Sequence, residues 1–299
     1  MAETVAVIGA GGFLGSALTI VLGRARAQVA EYTRSVPFLP PGGELHRGVA
    51  QARTVFWLAS SINPAVAEAR PDQVHADRKA FEGLIASVGF LTNPPRLILV
   101  SSGGTVYDPT QPPPYSEGAP VRPGCAYGRA KLELETLLAG AGLPPGRAVT
   151  LRVANAYGPG QPAARGQGVL AHWLRSAATG EPLVVYGDPR TSRDYIHIDD
   201  ITRAFLAVHR ATGPLPPVLN IGSGRPTTLA ELALTVLDVV GEPRPHLTFQ
   251  PARSFDIPRT WLDIRLAAAS LGWRPAVDLR DGIKSHWQWL HSPLAPTPQ

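Results

Sequence analysis

The 299-residue chain has one cysteine, Cys125, which excludes an internal disulfide and suits a reducing compartment. No apolar run approaches the roughly 20 residues that a membrane-spanning helix needs. The first strand pattern begins within a few residues of Met1, so we expect no signal peptide, no membrane association and a cytoplasmic location. Lysine is nearly missing: Lys79, Lys131 and Lys284 are the only three, and arginine carries almost all the positive charge. The formal net charge is +5, yet the arginines are scattered, with no basic run and no aromatic-interleaved patch. That distribution argues against a nucleic-acid partner and for a small anionic substrate. No internal repeat is visible, and no His/Asp/Glu spacing supports a metal site. Asp199 and Asp200 read as a helix N-cap pair ahead of residues 201–210.

What is present is a globular composition, 44% hydrophobic and 17% charged, long enough for one large domain or two closely joined ones. Strand and helix signals alternate through the first half, as in a doubly wound parallel sheet. Strands are expected at Thr4–Ile8, Gln28–Thr33, Thr54–Ala59, Arg96–Ser101 and Ala148–Val153, with helices at Asp72–Phe90 and Ala126–Gly140. Pro-rich breaks fall at residues 37–41, 112–114, 144–145 and 214–217.

Two patterns carry chemistry. Tyr127 and Lys131 stand four residues apart, one above the other on a helix face. An ammonium beside the phenol is expected to pull the tyrosine pKa from about 10 toward neutrality, poising it to give or take a hydroxyl proton. At the amino terminus, Thr4–Ile8 runs into Gly9-Ala10-Gly11-Gly12-Phe13-Leu14-Gly15 and then an apolar helix pattern. Gly9 permits a tight turn, Gly12 a close approach of a pyrophosphate, and Gly15 tight packing of helix on strand, with the helix N-terminus facing the phosphates.

The G-x-x-G-x-x-G spacing together with Tyr127 and Lys131 resembles the short-chain dehydrogenase/reductase superfamily. Later segments resemble its extended branch, which modifies nucleotide sugars. These are Arg152-Val153-Ala154-Asn155-Ala156-Tyr157-Gly158-Pro159, the run Ser192-Arg193-Asp194-Tyr195-Ile196-His197-Ile198-Asp199-Asp200, Asn220-Ile221-Gly222-Ser223-Gly224, and Arg253 with Asp256. The resemblance covers nearly the whole chain.

It implies an α/β fold: a Rossmann-type doubly wound parallel sheet with a smaller, mixed α/β C-terminal substrate-binding domain. Residues 1–155 would form the NAD(P)-binding part, with a returning segment at about 190–222. Residues 156–189 and 223–292 would bind the nucleotide sugar, and 293–299 would be a disordered tail. Tyr127 would be the general acid/base and Lys131 its tuning cation and ribose anchor. Gly9, Gly12, Phe13, Leu14, Gly15, Thr33, Arg34, Ala59, Ser60 and Ser61 would line the cofactor. Asn155, Arg193 and Arg253 would hold the substrate diphosphate, as arginine forks do. Tyr186 would stack on the base or serve as a core aromatic. A salt bridge from Arg193 to Asp194 or Asp199 is the competing reading, and for His197 a local hydrogen bond is favoured. A homodimer through the two long helices is also implied.

Three departures sharpen this. Gly103 falls where relatives carry a Ser or Thr that relays a proton to the tyrosine, so Ser102, or else Thr105, is expected to supply the hydroxyl. The same stretch lacks the acid that dehydratases need. At the end of the second strand Thr33 occupies the acidic position of NAD-binding relatives and Arg34 follows, which favours NADP, with NAD as the alternative. Residues 37–53 are too short and too Pro/Gly-rich for the usual third strand and full helix. Cys125 is read as a packing residue, and Asp77 and Lys79 as a solvated face or subunit contact.

The expected activity is therefore hydride transfer at a ring carbon, C4, of a nucleotide-diphosphate sugar. The reading leans to a 4-keto-sugar reductase. The alternatives are a UDP-sugar 4-epimerase with bound NAD and a non-catalytic cofactor-binding scaffold or sensor.

Overall fold

A computed structural model describes residues 3–40, 42–163, 168–253 and 256–292. The expected tail at 293–299 lies outside the described residues. The chain runs β1 (Thr4–Ile8), α1 (Phe13–Arg24), β2 (Gln28–Tyr32), α2 (Arg47–Ala50), β3 (Thr54–Trp57), α3 (Pro64–Ala69), α4 (Pro71–Gly89), β4 (Arg96–Ser102), α5 (Ala126–Ala139) and β5 (Ala148–Val153). It continues with β6 (Asn155–Tyr157), α6 (Val169–Thr179), β7 (Leu183–Tyr186), β8 (Ser192–Arg193), β9 (Tyr195–His197), α7 (Ile198–Arg210) and β10 (Val218–Ile221). Last come β11 (Thr227–Thr228), α8 (Leu229–Val240), β12 (Leu247–Gln250), α9 (Arg265–Leu271) and α10 (Leu279–Leu290).

Six strands form one parallel sheet in the order β10-β5-β4-β3-β1-β2. Its inner strands are apolar on both faces because helices cover both: all four residues of β3 are buried, as are six of the seven in β4. One face packs Leu18 and Leu22 of α1 and Ile201, Phe205 and Val208 of α7 against the sheet. The other packs Phe81, Leu84 and Val88 of α4 with Leu134 and Leu138 of α5. A separate apolar cluster joins α6, β7, α8 and α10 through Trp173, Leu174, Leu183, Leu232, Val236 and Ile283.

Strand order reverses between β1 and β3, because the chain moves outward to β2 and then returns past β1. In a doubly wound sheet a ligand crevice opens at that point, beyond the carboxyl ends of the strands. The glycine turn leaves β1 at this place. Among the described residues no strand forms between β2 and β3, where the Pro/Gly-rich stretch yields only the one-turn α2. β3 ends at Trp57, short of the expected Ala59, because Ala59 turns aside to pack on Gly9.

One local expectation is corrected. Asp199 and Asp200 do not cap α7; they lie in its first turn, and the cap is His197, whose Nδ1 accepts from the Asp199 N–H at 3.3 Å. Asp200 instead turns inward to take the N–H groups of Ala276 and Val277. A neighbouring strand register explains the swap: β9 places the imidazole at the helix mouth, where His197 Nε2 also meets Ser285 Oγ at 3.1 Å. Among the described residues no helix is long and apolar enough to cross a membrane.

Candidate active site

The turn after β1 is held by its lack of side chains. Gly9 has φ +97°, and a Cβ there would stand 2.5 Å from the Ala59 nitrogen. A Cβ on Gly15 would meet the Gly9 carbonyl oxygen at 2.1 Å, so only glycine lets α1 start this close to the strand. Gly12 precedes α1 as its cap residue, exposed and with no side chain over the helix mouth. The N–H groups of the first turn, at Phe13, Leu14 and Gly15, have no carbonyl within the helix to bond, and such a turn attracts phosphate. Thr33 lies beside this turn, its methyl 3.6 Å from where a Gly11 Cβ would be. Its hydroxyl pairs with that of Ser35 at 2.9 Å, and Arg34 is exposed with no ion pair among the described residues.

Cys125 caps α5, its buried Sγ accepting from the Gly128 N–H at 3.4 Å, which places Tyr127 in the first helical turn. Lys131 follows one turn later with its Nζ 5.5 Å from the Tyr127 ring centroid, and it is only 6% exposed. The pair is brought together as expected, but its electrostatics run the other way. Burial pushes the Tyr127 phenol well above its usual value, and Cys125 and Asp77 push in the same direction. Burial also pulls the Lys131 ammonium down, partly offset by Asp77 and Glu135. Sequence spacing supplied the cation but not the desolvation, which outweighs it.

Asp77 of α4, expected on a solvated face or at a subunit contact, is half-buried and turned toward the loop after β3. Its carboxylate accepts from the Ser61 N–H at 2.8 Å, the Ser61 hydroxyl at 2.7 Å and the Ser60 hydroxyl at 3.3 Å. The two serines therefore turn their hydroxyls toward α4, while Ala59 supplies the backbone against Gly9. Nothing local in the sequence marked Asp77 among the charges of a polar helix; two adjacent serines after a buried strand were the available hint.

Gly103 has a physical reason. A Cβ there would lie 2.6 Å from Leu262 Cδ1 and 3.0 Å from the Arg152 carbonyl oxygen. Leu262, 1% exposed, fills the space that a side chain at position 103 would need. Of the two substitutes, Ser102 is half-buried, whereas the Thr105 hydroxyl is a buried oxygen with no hydrogen-bond partner among the described residues. Thr105 also packs its carbonyl against Gly128, next to Tyr127. Beneath the site, Glu135 on the Tyr127–Lys131 face of α5 takes a forked bond from Arg152, 2.6 Å at its shortest, and the Ser101 hydroxyl at 2.5 Å.

A second cluster forms across the mouth. Arg193 makes no ion pair among the described residues: its Nη1 donates to the Ser192 carbonyl at 3.0 Å. Asp194 cannot serve it, because that carboxylate already accepts from Ser223 N and Oγ, Gly224 N and Leu262 N. Arg253 pairs with Asp256 at 2.9 Å and lies over the exposed Tyr186 ring, 4.9 Å from its centroid. Tyr186 is thus no core aromatic. Burial pulls Arg193 below the usual guanidinium value, with Asp256 opposing and Arg253 adding to the fall. Asn155 donates to the Asp194 carbonyl at 2.9 Å and borders Gly104.

A glycine turn at the switch point, a Tyr/Lys pair on α5 and a pair of arginines beyond them make up the candidate site. Residues 5–222 match the NAD dependent epimerase/dehydratase family. The chain belongs to that family. It is thus an enzyme of the nucleotide-sugar epimerase, dehydratase and reductase group, in a family described as NAD dependent. It is 33% identical over 248 residues, 80% of this chain and 76% of the relative, to a dTDP-4-dehydro-6-deoxyglucose reductase of Escherichia coli. It is 31% identical over 305 residues, 95% of this chain and 94% of the relative, to a dTDP-6-deoxy-L-talose 4-dehydrogenase (NAD(P)(+)) of Kitasatospora kifunensis. A UDP-glucose 4-epimerase of Mycolicibacterium smegmatis is 33% identical over 202 residues, 67% of this chain and 63% of that one. Among solved structures, MoeE5 in complex with UDP-glucuronic acid and NAD has a TM-score of 0.83 at 27% identity, covering 96% of this chain and 98% of that one. The Thermus thermophilus UDP-glucose 4-epimerase complex with NAD also gives 0.83, at 25% identity, covering 97% and 99%. The family's doubly wound Rossmann-type sheet is the one formed here.

Proposed function

We propose that this epimerase/dehydratase-family enzyme is an NADPH-dependent reductase of the 4-keto group of a dTDP-linked 6-deoxyhexulose. The observation that carries the reading is coverage. In sequence, a dTDP-6-deoxy-L-talose 4-dehydrogenase aligns over 95% of this chain and 94% of its own length and a dTDP-4-dehydro-6-deoxyglucose reductase over 80% and 76%, whereas the epimerase alignment spans 63% of that protein. Thr33 and Arg34 support NADPH, since a 2′-phosphate meets a guanidinium there rather than a carboxylate.

The residues suit the cofactor: Gly9 and Gly15 shape a turn that any Cβ would fill. Gly12, Phe13, Leu14 and Gly15 would hold the pyrophosphate, Thr33 and Arg34 the adenosine ribose, Ala59–Ser61 the flank, and Lys131 the other ribose. A bound nicotinamide nucleotide supplies the hydride. Asn155, Arg193 and Arg253 would bind the sugar diphosphate and so orient C4. Tyr127, kept protonated by burial, gives its proton to the C4 oxygen as that oxygen becomes an alkoxide. Lys131 then stabilises the phenolate until solvent returns the proton. Thr105 would hydrogen-bond the same oxygen. Two copies of the chain would pair through α4 and α5, the two long helices.

A UDP-sugar 4-epimerase is the second reading, favoured by the NAD complexes with UDP sugars among the structural neighbours. The test is to purify the protein, identify the nucleotide it retains, and follow NADPH oxidation at 340 nm with a dTDP-4-keto-6-deoxyhexose. Stoichiometric NADPH consumption is expected. Tightly retained NAD with interconversion of UDP-glucose and UDP-galactose, and no NADPH consumption, would overturn the proposal.

A further inference from the structure

Lys131 is an ammonium in an almost dry position, and a charge so placed requires a counter-charge. Every ionisable group around it can be assigned. Glu135, one turn further along α5, is committed to Arg152 of β5 by the forked bond and to Ser101. Arg78 of α4 is bound between Glu82 and Glu133, at 3.0 and 3.1 Å. Glu68 of α3 takes the Ala126 N–H. Tyr127 is neutral, and Cys125 is buried against the Gly128 N–H. Asp77 is left: its three bonds come from neutral serine groups, and among the described residues it makes no ion pair. A small cavity of about 10 Å³, near the size one water needs, is lined by Asp77, Ser60 and Lys131 together with the Arg78–Glu133 pair.

We propose that Asp77 is the counter-charge of Lys131, a positioning residue that keeps the ammonium charged beside Tyr127 and ties it to the Ser60–Ser61 edge of the crevice. The inference rests on Tyr127 and Lys131 as the reacting pair but not on the identity of the sugar. Glu135 and Arg152 cancel each other and Arg78 is held by Glu82 and Glu133, which leaves Asp77, among the described residues, as the carboxylate on the Lys131 cavity without a cation of its own. Without the carboxylate, burial would strip the proton from Lys131, and Tyr127 would lose the cation that receives its phenolate. Burial lowers the Lys131 pKa, and Asp77 is the larger of the two carboxylate influences opposing it.

With only three lysines in the chain, protein grown on lysine labelled with 13C at Cε should give three resolvable signals. Lys131→Met identifies the one of interest, and its pH titration reads the charge without any sugar substrate. In the unaltered protein Lys131 is expected to be charged at neutral pH; a neutral amine there would show that no counter-charge holds it and would overturn the proposal outright. Asp77→Asn keeps an acceptor for the Ser61 N–H but loses the charge, and should lower the midpoint by about one to three units. Ser60→Ala/Ser61→Ala removes the hydroxyl contacts but keeps the charge, and should leave the midpoint in place. An unchanged midpoint in Asp77→Asn, or an equal fall in the double-serine variant, would each refute a charge role. Failure of the reductase reading would leave these titrations as they are.

Discussion

His286 offers the sharpest test of the packing. It lies on α10 with none of its surface exposed, and neither ring nitrogen has a hydrogen-bond partner among the described residues. Burial, with His197 nearby, depresses its pKa from 6.5 to about 4. The imidazole is therefore neutral when folded but takes up a proton in the unfolded chain once the pH falls below 6.5. Between those values the unfolded state binds more protons, so stability rises with pH across the window and is lost as pH falls through it. At 1.36 kcal/mol per unit, a depression from 6.5 to about 4 corresponds to about 3 kcal/mol. Carboxylates also titrate in this range, so the measurement is a difference. Urea unfolding of the protein and of His286→Leu should be compared from pH 7.5 to pH 4, at fixed nucleotide concentration. The leucine fills a similar volume and does not titrate. The wild-type protein should lose about 3 kcal/mol relative to the variant across that range, with most of the change between pH 6.5 and 4. Parallel curves would mean that the imidazole is solvated or paired, and the reasoning would fail.

Tyr127→Phe should lower kcat about 10²–10⁴-fold while leaving the circular dichroism spectrum unchanged, since it removes only the proton donor. Gly103→Ser should destabilise by about 1–3 kcal/mol in urea unfolding, because its Cβ meets Leu262 at 2.6 Å; adding Leu262→Ala should make the pair clearly non-additive. Arg193→Ala should raise KM more than it lowers kcat, by about ten- to a hundredfold for the loss of a charge-assisted bond to the diphosphate. Glu135→Gln leaves Arg152 buried and unpaired and should cost about 3–5 kcal/mol of stability, read by denaturant midpoint.

Much of this architecture could be read along the chain. Apolar runs placed the five core strands within two residues, and the glycine turn and the Tyr/Lys spacing located both ends of the site. These are local signals: a strand buried on both faces and a helix period each write themselves into consecutive residues. The misreadings concern distant partners. Asp77 looked like one more charge on a polar helix because Ser60 and Ser61, which it binds, lie across a loop. Gly103 looked like a missing hydroxyl, whereas Leu262 arrives from 159 positions later to occupy the space. The direction of the Tyr127 shift depends on desolvation, which no spacing encodes. Asp199 and Asp200 looked like the cap of α7, but the local bond of His197 takes that place while Asp200 serves the distant N–H groups of Ala276 and Val277.

Asp194 has a further consequence. Four donors from the 222–224 turn and from Leu262 hold its carboxylate. The backbone of the adjacent Arg193 is thereby clamped from both sides before any anion arrives. A diphosphate bound there, as proposed, would need to order only a guanidinium stem, not a loop, and the entropic cost of association would be correspondingly smaller. Loosening Asp194 would weaken the grip of an arginine it never touches.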